Sequence, residues 1–125
     1  MNFEEYFIKD STGKSNCVIR TFCKLYNEEY NYVFDNLNKI KKELNEKSYN
    51  EIPVFEEYMK RHNTYKINYG EDVIIRNLKL DNERYAILCY DKKDFYHMIP
   101  IIDNTIYDKN DDCLNLYTIC NYKQQ

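Results

Sequence analysis

Cys17 stands where a thiol is expected to be reactive. It follows Gly13-Lys14-Ser15-Asn16, in which the glycine can turn the chain and either polar residue before the cysteine can cap a helix. Backbone N–H groups at a helix N-terminus have no partner within the helix, and together with the helix dipole they stabilise a thiolate. Arg20 and Lys24 fall on the same side of that helix. We therefore expect an accessible Cys17 in electropositive surroundings.

A histidine and a carboxylate are predicted to meet on a hairpin far along the chain. Asp103-Asn104 suits a two-residue turn, because both residue types tolerate positive φ. Counting outward from a pair formed by Ile102 and Thr105 makes His97 and Asp108 diagonal neighbours on one face. Their Cα atoms are then roughly 7 Å apart, within reach of a His–carboxylate hydrogen bond.

Simpler interpretations of these residues stay open. His97 could be an ordinary strand histidine, and Asp108 could simply end a strand. Pro100 cannot donate to a ladder, so it could mark a sheet edge or a bulge. A bulge between His97 and the turn would send Asp108 to the opposite face.

Other chemical motifs are weaker. The cysteines lack zinc-site spacing, the aspartates after the hairpin fail the calcium-loop pattern, and there is no glycine-rich phosphate loop. We therefore expect neither a metal nor a cofactor. His62 is expected to be a surface residue near a helix end, and the 14 tyrosines are expected to serve the core or an interface.

Composition limits the class of protein. With 125 residues, 43% of them hydrophobic, residues 1–125 are expected to form a single domain with a real core. The formal charge of −3 comes from interspersed signs, so we expect no nucleic acid as a partner. Short apolar runs and the N-terminal sequence predict neither a membrane span nor a secretion signal. Five scattered cysteines suit a reducing compartment, so a cytoplasmic location is expected.

Helical periodicity is confined to the N-terminal half. Apolar residues recur at helical spacing from Val18 to Tyr26, and a second helix is expected from about Asn31 to Glu46. Pro53 suits the first turn of a third helix that ends near Arg61-His62-Asn63.

Strands are expected in the C-terminal half. The region 64–80 is ambiguous, because short β-prone runs surround a turn at Gly70 while Asp72 to Lys79 could instead be a helical turn. Clearer strands are expected over Arg84 to Tyr90, Phe95 to Ile102, Thr105 to Asp108 and Cys113 to Cys120. Helices followed by an antiparallel meander predict an α+β fold, with N-terminal helices packed on a C-terminal antiparallel sheet.

Two segments resemble a known family. The order of a cysteine that opens a helix, a strand that begins with histidine, and a short strand that ends in aspartate is similar to small papain-like cysteine peptidases and amidases of bacteriophages and prophages. Gly13-Lys14-Ser15-Asn16-Cys17-Val18-Ile19-Arg20 resembles their cysteine motif, and the segment from His97 to Asp108 resembles their histidine and aspartate segment. Asn104 stands where such hairpins commonly carry Gly, and residues 45–79 match nothing in the family.

The resemblance implies a thiol hydrolase that acts on an amide or acyl bond of a peptide or protein substrate. Cys17 would be the nucleophile, His97 the proton donor and acceptor, and Asp108 the residue that orients the imidazole. The oxyanion would form against the Cys17 backbone N–H and a second donor, for which Ser11 and Asn16 are candidates.

Two other functions stay open. A papain-like domain could serve as a catalytically silent binding module, for example a phage protein in the host cytoplasm that inhibits a host defence component. The short chain and the many tyrosines favour that alternative. A third possibility is a cell-wall amidase resembling the NlpC type, although no export signal or wall-binding repeat supports it.

Overall fold

The chain folds into one sheet with helices against it. The computed structural model describes residues 1–8, 16–67, 71–91 and 96–125. The elements in those ranges are β1 (Asn2–Glu5), α1 (Cys17–Tyr26), α2 (Tyr30–Glu43), α3 (Ile52–Arg61), β2 (Thr64–Ile67), β3 (Arg84–Tyr90), β4 (Tyr96–Ile102), β5 (Thr105–Asp108) and β6 (Tyr117–Gln124), with 3-10 turns at Ile75–Asn77 and Asp111–Asn115. The α+β expectation is confirmed.

The sheet is mixed, which corrects the expectation of an antiparallel sheet. Its strand order is β1-β5-β4-β3-β6-β2. All neighbours in the C-terminal half pair antiparallel, but β1 pairs parallel with β5, from Asn2 beside Thr105 to Glu5 beside Asp108. The N-terminal segment had too few apolar residues to signal a strand, and its partner lies more than 100 residues away.

The two faces of the sheet are covered differently. The three helices bury one face in a core that includes Ile19, Phe22, Leu37, Tyr58 and Met98. The other face packs its apolar residues beneath the segments that carry the two 3-10 turns. Among the described residues, no helix has the length and apolar character that crossing a membrane would require.

The hairpin that joins β4 to β5 forms as expected. Asp103 and Asn104 have φ angles of 50° and 60°, and Ile102 pairs with Thr105 across the turn. The ladder stops after the next pair, Ile101 with Ile106. Ile102 and Thr105 flank a two-residue turn, so they exchange both backbone hydrogen bonds and the N–H of Ile102 points toward β5. Backbone groups of every second residue along a strand point to the same side, so the Pro100 nitrogen also points toward β5. Proline has no N–H, so it cannot donate a hydrogen bond there. Pro100 therefore ends the β4–β5 ladder inside the sheet, without lying on an edge strand.

Several boundaries differ from those expected. The second helix begins at Tyr30 and ends at Glu43, and the third has its proline in the first turn, as expected. The last strand forms but begins later than the expected Cys113 to Cys120, because a 3-10 turn occupies Asp111–Asn115 and β6 is Tyr117–Gln124. In the ambiguous region, Thr64–Ile67 is a strand and Ile75–Asn77 is a 3-10 turn. The turn at Gly70, Phe95 and the residues Gly13 to Ser15 lie outside the described residues.

Candidate functional site

The fold brings Cys17, His97 and Asp108 together. Cys17 is the first residue of α1 and is partly exposed, His97 is the second residue of β4, and Asp108 is the last residue of β5. The Cys17 thiol lies beside the His97 ring, close enough for the ring to lower its pKa, and His97 in turn hydrogen-bonds to Asp108. Residues from three separate elements thus bring a thiol, an imidazole and a carboxylate side by side.

The carboxylate of Asp108 holds the histidine ring. His97 Nε2 lies 2.7 Å from Asp108 Oδ2, and both side chains are almost fully buried. This contact leaves Nδ1 as the ring nitrogen that serves the Cys17 sulfur. The other carboxylate oxygen, Oδ1, accepts from the Lys109 backbone N–H at 2.8 Å and from the Arg20 guanidinium at 3.5 Å. Asp108 is therefore fixed on both oxygens, and the ring orientation follows from it.

The backbone of Met98 attaches α1 to the open side of β4. The backbone N–H and C=O groups of successive strand residues point to alternate sides, so those of Met98 point toward β5, as the Pro100 nitrogen does. At Met98, however, the β4–β5 ladder has already ended. The Met98 C=O accepts from the Thr21 hydroxyl at 3.1 Å, and the Met98 backbone also lowers the pKa of the nearby Cys17 thiol. Thr21 of α1 thus bonds to a strand carbonyl that β5 leaves unpaired.

This attachment explains why α1 is buried on more than its apolar stripe. The sequence placed Arg20 on a polar side of α1, yet Arg20 is buried with a relative exposure of 5%, and its neighbour Thr21 is buried with 0%. The buried Thr21 hydroxyl donates a hydrogen bond to the Met98 carbonyl, and the buried Arg20 guanidinium donates one to Asp108. Lys24, one turn further on, lies instead over the rings of Tyr6 and Tyr107.

The electrostatics of the three groups favour an ion pair. Burial raises the pKa of Cys17, but its hydrogen bond to His97, the charge of that ring, the Met98 backbone and Arg20 together hold it below the ordinary value. Burial lowers the pKa of His97, yet hydrogen bonds to Asp108 and Cys17 raise it to about 9. Burial raises the pKa of Asp108, but its hydrogen bond to His97 and the charge of that ring lower it by more, so the pKa lies below its ordinary value. The shifts of Cys17 and His97 therefore both favour a thiolate beside an imidazolium.

The other four cysteines have the opposite tendency. Burial raises the pKa of Cys23 to about 11 and that of Cys113 to about 12, and it also raises the pKa of Cys89 and of Cys120. A thiol with a raised pKa is weakly nucleophilic at neutral pH, because the thiolate is the reactive form. Of the five, Cys17 alone is shifted toward the thiolate.

The two candidate oxyanion donors have different outcomes. Ser11 lies outside the described residues. Asn16 is buried directly before Cys17, where its Oδ1 accepts from the Tyr49 hydroxyl at 2.7 Å and its Nδ2 donates to the Tyr30 hydroxyl at 3.3 Å. These bonds tie the start of α1 to α2 and to the loop before α3, so Asn16 supports the position of Cys17. Its role as an oxyanion donor stays a prediction.

His62 belongs to a separate cluster. Its ring packs against both Tyr26 and Tyr58, with centroids 4.2 and 4.4 Å away. Its Nε2 lies 3.1 Å from Glu28 Oε2, and its Nδ1 lies 2.8 Å from the Tyr58 carbonyl oxygen. The expected position near the end of α3 is confirmed, since His62 is the residue after its last turn. The acidic partner was not foreseen, because Glu28 is 34 residues away.

Comparison with known proteins adds no family assignment. No protein-family model, no curated protein and no solved structure matches the chain. What can be said about function therefore depends on the residues of this chain and on their arrangement.

Proposed function

We propose that the chain is a thiol hydrolase, a cysteine peptidase or amidase with a papain-like arrangement, in which Cys17, His97 and Asp108 are the catalytic residues. The observation that carries the proposal is the placement of the Cys17 thiol beside the His97 ring, whose Nε2 lies 2.7 Å from the Asp108 carboxylate. The three types of group, their order and the lowered pKa of Cys17 are what nucleophilic attack on a carbonyl requires.

In the acylation step, the Cys17 thiolate attacks the carbonyl carbon of an amide and forms a carbon–sulfur bond. The carbonyl oxygen takes up negative charge against the Cys17 backbone N–H, which has no acceptor within the helix because it belongs to the first turn. His97 then gives its Nδ1 proton to the departing nitrogen as the carbon–nitrogen bond breaks. An amine leaves, and the acyl group remains on Cys17 as a thioester.

In the deacylation step, neutral His97 removes a proton from water, and the resulting hydroxide attacks the thioester. The carbon–sulfur bond breaks, a carboxylic acid leaves, and the thiolate beside the imidazolium is restored. Asp108 keeps the Nε2–H of the ring throughout, so Nδ1 is the nitrogen that exchanges protons with the substrate side. Arg20 and the Lys109 backbone N–H hold Asp108 in place during both steps.

A small activated ester tests the chemistry without a known substrate. With p-nitrophenyl acetate, stopped-flow absorbance should show a burst of p-nitrophenolate equal to one acyl group per chain, followed by steady release. Cys17→Ala and His97→Ala should lose both phases, whereas Cys120→Ala should keep them, because Cys120 is also partly exposed but has a raised pKa. An equal burst from Cys17→Ala would overturn the proposal. A burst without steady release would show that the acyl group stays on Cys17, which would contradict a hydrolase and favour the binding-module alternative.

A further inference from the structure

Arg20 places a positive charge inside the protein beside the three proposed catalytic residues. It lies on α1 one turn after Cys17, and its side chain is buried. A guanidinium stays charged in proteins, and a buried charge is costly unless an opposite charge compensates it. Within the described residues, the Asp108 carboxylate is the one anionic group within 4 Å of this guanidinium. The burial of Arg20 therefore depends on Asp108.

The contact between Arg20 and Asp108 contributes charge more than it contributes anchoring. It is a single bond, from Nη2 of Arg20 to Oδ1 of Asp108 at 3.5 Å. A bidentate arginine–carboxylate pair would have two shorter bonds. The backbone N–H of Lys109 meets the same oxygen at 2.8 Å, so a shorter bond already fixes that side of the carboxylate.

The charges of the site alternate when all of its groups are ionised. The thiolate, the imidazolium, the Asp108 carboxylate and the Arg20 guanidinium follow one another, so the four charges cancel. The last three of these groups also line one cavity of about 300 Å³. Without Arg20, one negative charge would be left unbalanced in a site that is largely shielded from water.

The thiolate is the group that would respond to such an imbalance. His97 already carries its proton when Asp108 is ionised, so neutrality returns when Cys17 takes a proton from solvent. The direct effect of the guanidinium has the same direction, because Arg20 lowers the pKa of Cys17 and that of Asp108.

We propose that Arg20 is a positioning residue of the thiol hydrolase, whose positive charge acts through Asp108 to balance the buried site and so allows Cys17 to be ionised. The inference rests on the proposed function. One helix then carries both the nucleophile and the cation that balances it. Since the contact is not bidentate, a lysine at position 20 should replace the arginine.

Lys24 offers a matched control for the charge of Arg20. It lies one turn further along α1, and its Nζ lies over the rings of Tyr6 and Tyr107, 5.2 and 4.2 Å from their centroids. Lys24→Met changes the net charge as Arg20→Met does, but it leaves the contact with Asp108 in place.

The pH dependence of Cys17 alkylation by iodoacetamide separates a balancing charge from a merely structural bond. Arg20→Met should move the profile toward alkaline pH, with labelling at least about tenfold slower near pH 7 and equal to wild type in alkaline solution, since one pKa unit is a tenfold change in thiolate. Arg20→Lys should stay within about threefold of the wild-type rate at each pH, and Lys24→Met within about twofold.

A double variant keeps the test valid even if Arg20→Met folds poorly because it leaves a buried carboxylate without its cation. Arg20→Met combined with Asp108→Asn removes both charges and avoids that cost. If Arg20 acts through Asp108, adding Arg20→Met to Asp108→Asn should change the labelling rate by no more than about twofold. Urea denaturation of each variant identifies the folded proteins that can be compared.

The role of Arg20 would be overturned, and the proposed function left standing, by an Arg20→Met profile that coincides with the wild type or falls equally at every pH. A shift that lysine does not reverse, an equal shift in Lys24→Met, or a double variant far slower than Asp108→Asn alone would overturn that role as well. A wild-type profile that coincides with that of His97→Ala would instead overturn the proposed function.

Discussion

The Nε2 atom of His97 lies 2.7 Å from Oδ2 of Asp108, across a hairpin whose ladder ends before either residue is reached. The contact is therefore made by the side chains and is not enforced by backbone pairing at that point. It depends on the turn, on Pro100 and on the bonds that hold Asp108 Oδ1. Each of these contributions can be perturbed separately.

Removal of the Asp108 charge should slow the thiol. Asp108→Asn keeps the size of the side chain but loses the charge that supports a protonated His97, so the pKa of His97 falls and the Cys17 thiolate loses its partner. We expect iodoacetamide to label Cys17 at least about fivefold more slowly at pH 7. Asp112→Asn, an exposed change in the same loop, serves as the control and should keep the wild-type rate. Equal rates in the two variants would show that Asp108 does not support the ion pair.

The bond between Thr21 and Met98 should contribute to stability. Thr21→Val has nearly the same shape but leaves the buried Met98 carbonyl without its donor, which costs about 1–3 kcal/mol of the free energy of unfolding. Thr21→Ser keeps the hydroxyl and loses one methyl group, worth about 0.8 kcal/mol. In urea denaturation, Thr21→Val should therefore have a lower midpoint than Thr21→Ser. If the valine variant unfolds at the same or a higher urea concentration than the serine variant, the hydrogen bond does not fasten α1 to β4.

The turn at Asp103-Asn104 should tolerate only some residues. Asn104 has a φ of 60°, which costs an alanine about 1–2 kcal/mol, so Asn104→Ala should lower the midpoint of urea denaturation. Asn104→Gly fits the same conformation without strain and should unfold at or above the wild-type midpoint. An alanine variant as stable as the glycine variant would mean that the positive φ is not required for the hairpin.

The selectivity of alkylation should single out Cys17 among the five thiols. Near pH 7 an ordinary thiol is only a few per cent ionised, so Cys17, whose pKa is lowered, should react at least about tenfold faster than Cys120, which is also partly exposed but has a raised pKa. Peptide mass spectrometry after a short pulse of iodoacetamide measures both sites in one sample. Comparable labelling of Cys17 and Cys120 would contradict the lowered pKa of Cys17.

The sequence could predict the local parts of the site. The residue types of Asp103-Asn104 determine the turn, and counting along alternating strands then places His97 and Asp108 on one face. The position of Cys17 as the first residue of α1 likewise follows from the helical periodicity after it and from the glycine and polar residues before it. Both arguments need only a few neighbouring residues.

The parts that depend on distant partners could not be predicted. Strand β1 acquires its partner β5 from the other end of the chain, and a segment with so few apolar residues gives no periodic signal. The burial of Arg20 follows only from Asp108, 88 residues away. Near Cys113, apolar residues favoured a strand, but the Asn110 side chain accepts from the Asp112 N–H and starts a 3-10 turn instead.

The pH dependence of Cys17 alkylation, measured in the wild type and in His97→Ala, tests the central claim most directly. Since the pKa of Cys17 is lowered and that of His97 is raised to about 9, the wild-type rate should rise at a lower pH than the rate of His97→Ala, with the histidine still protonated up to about pH 9. In His97→Ala the thiol loses its main stabilising partner, so the rate should be low at neutral pH and rise only in alkaline solution. Coincident profiles for the two proteins, both rising only in alkaline solution, would contradict an ion pair between Cys17 and His97.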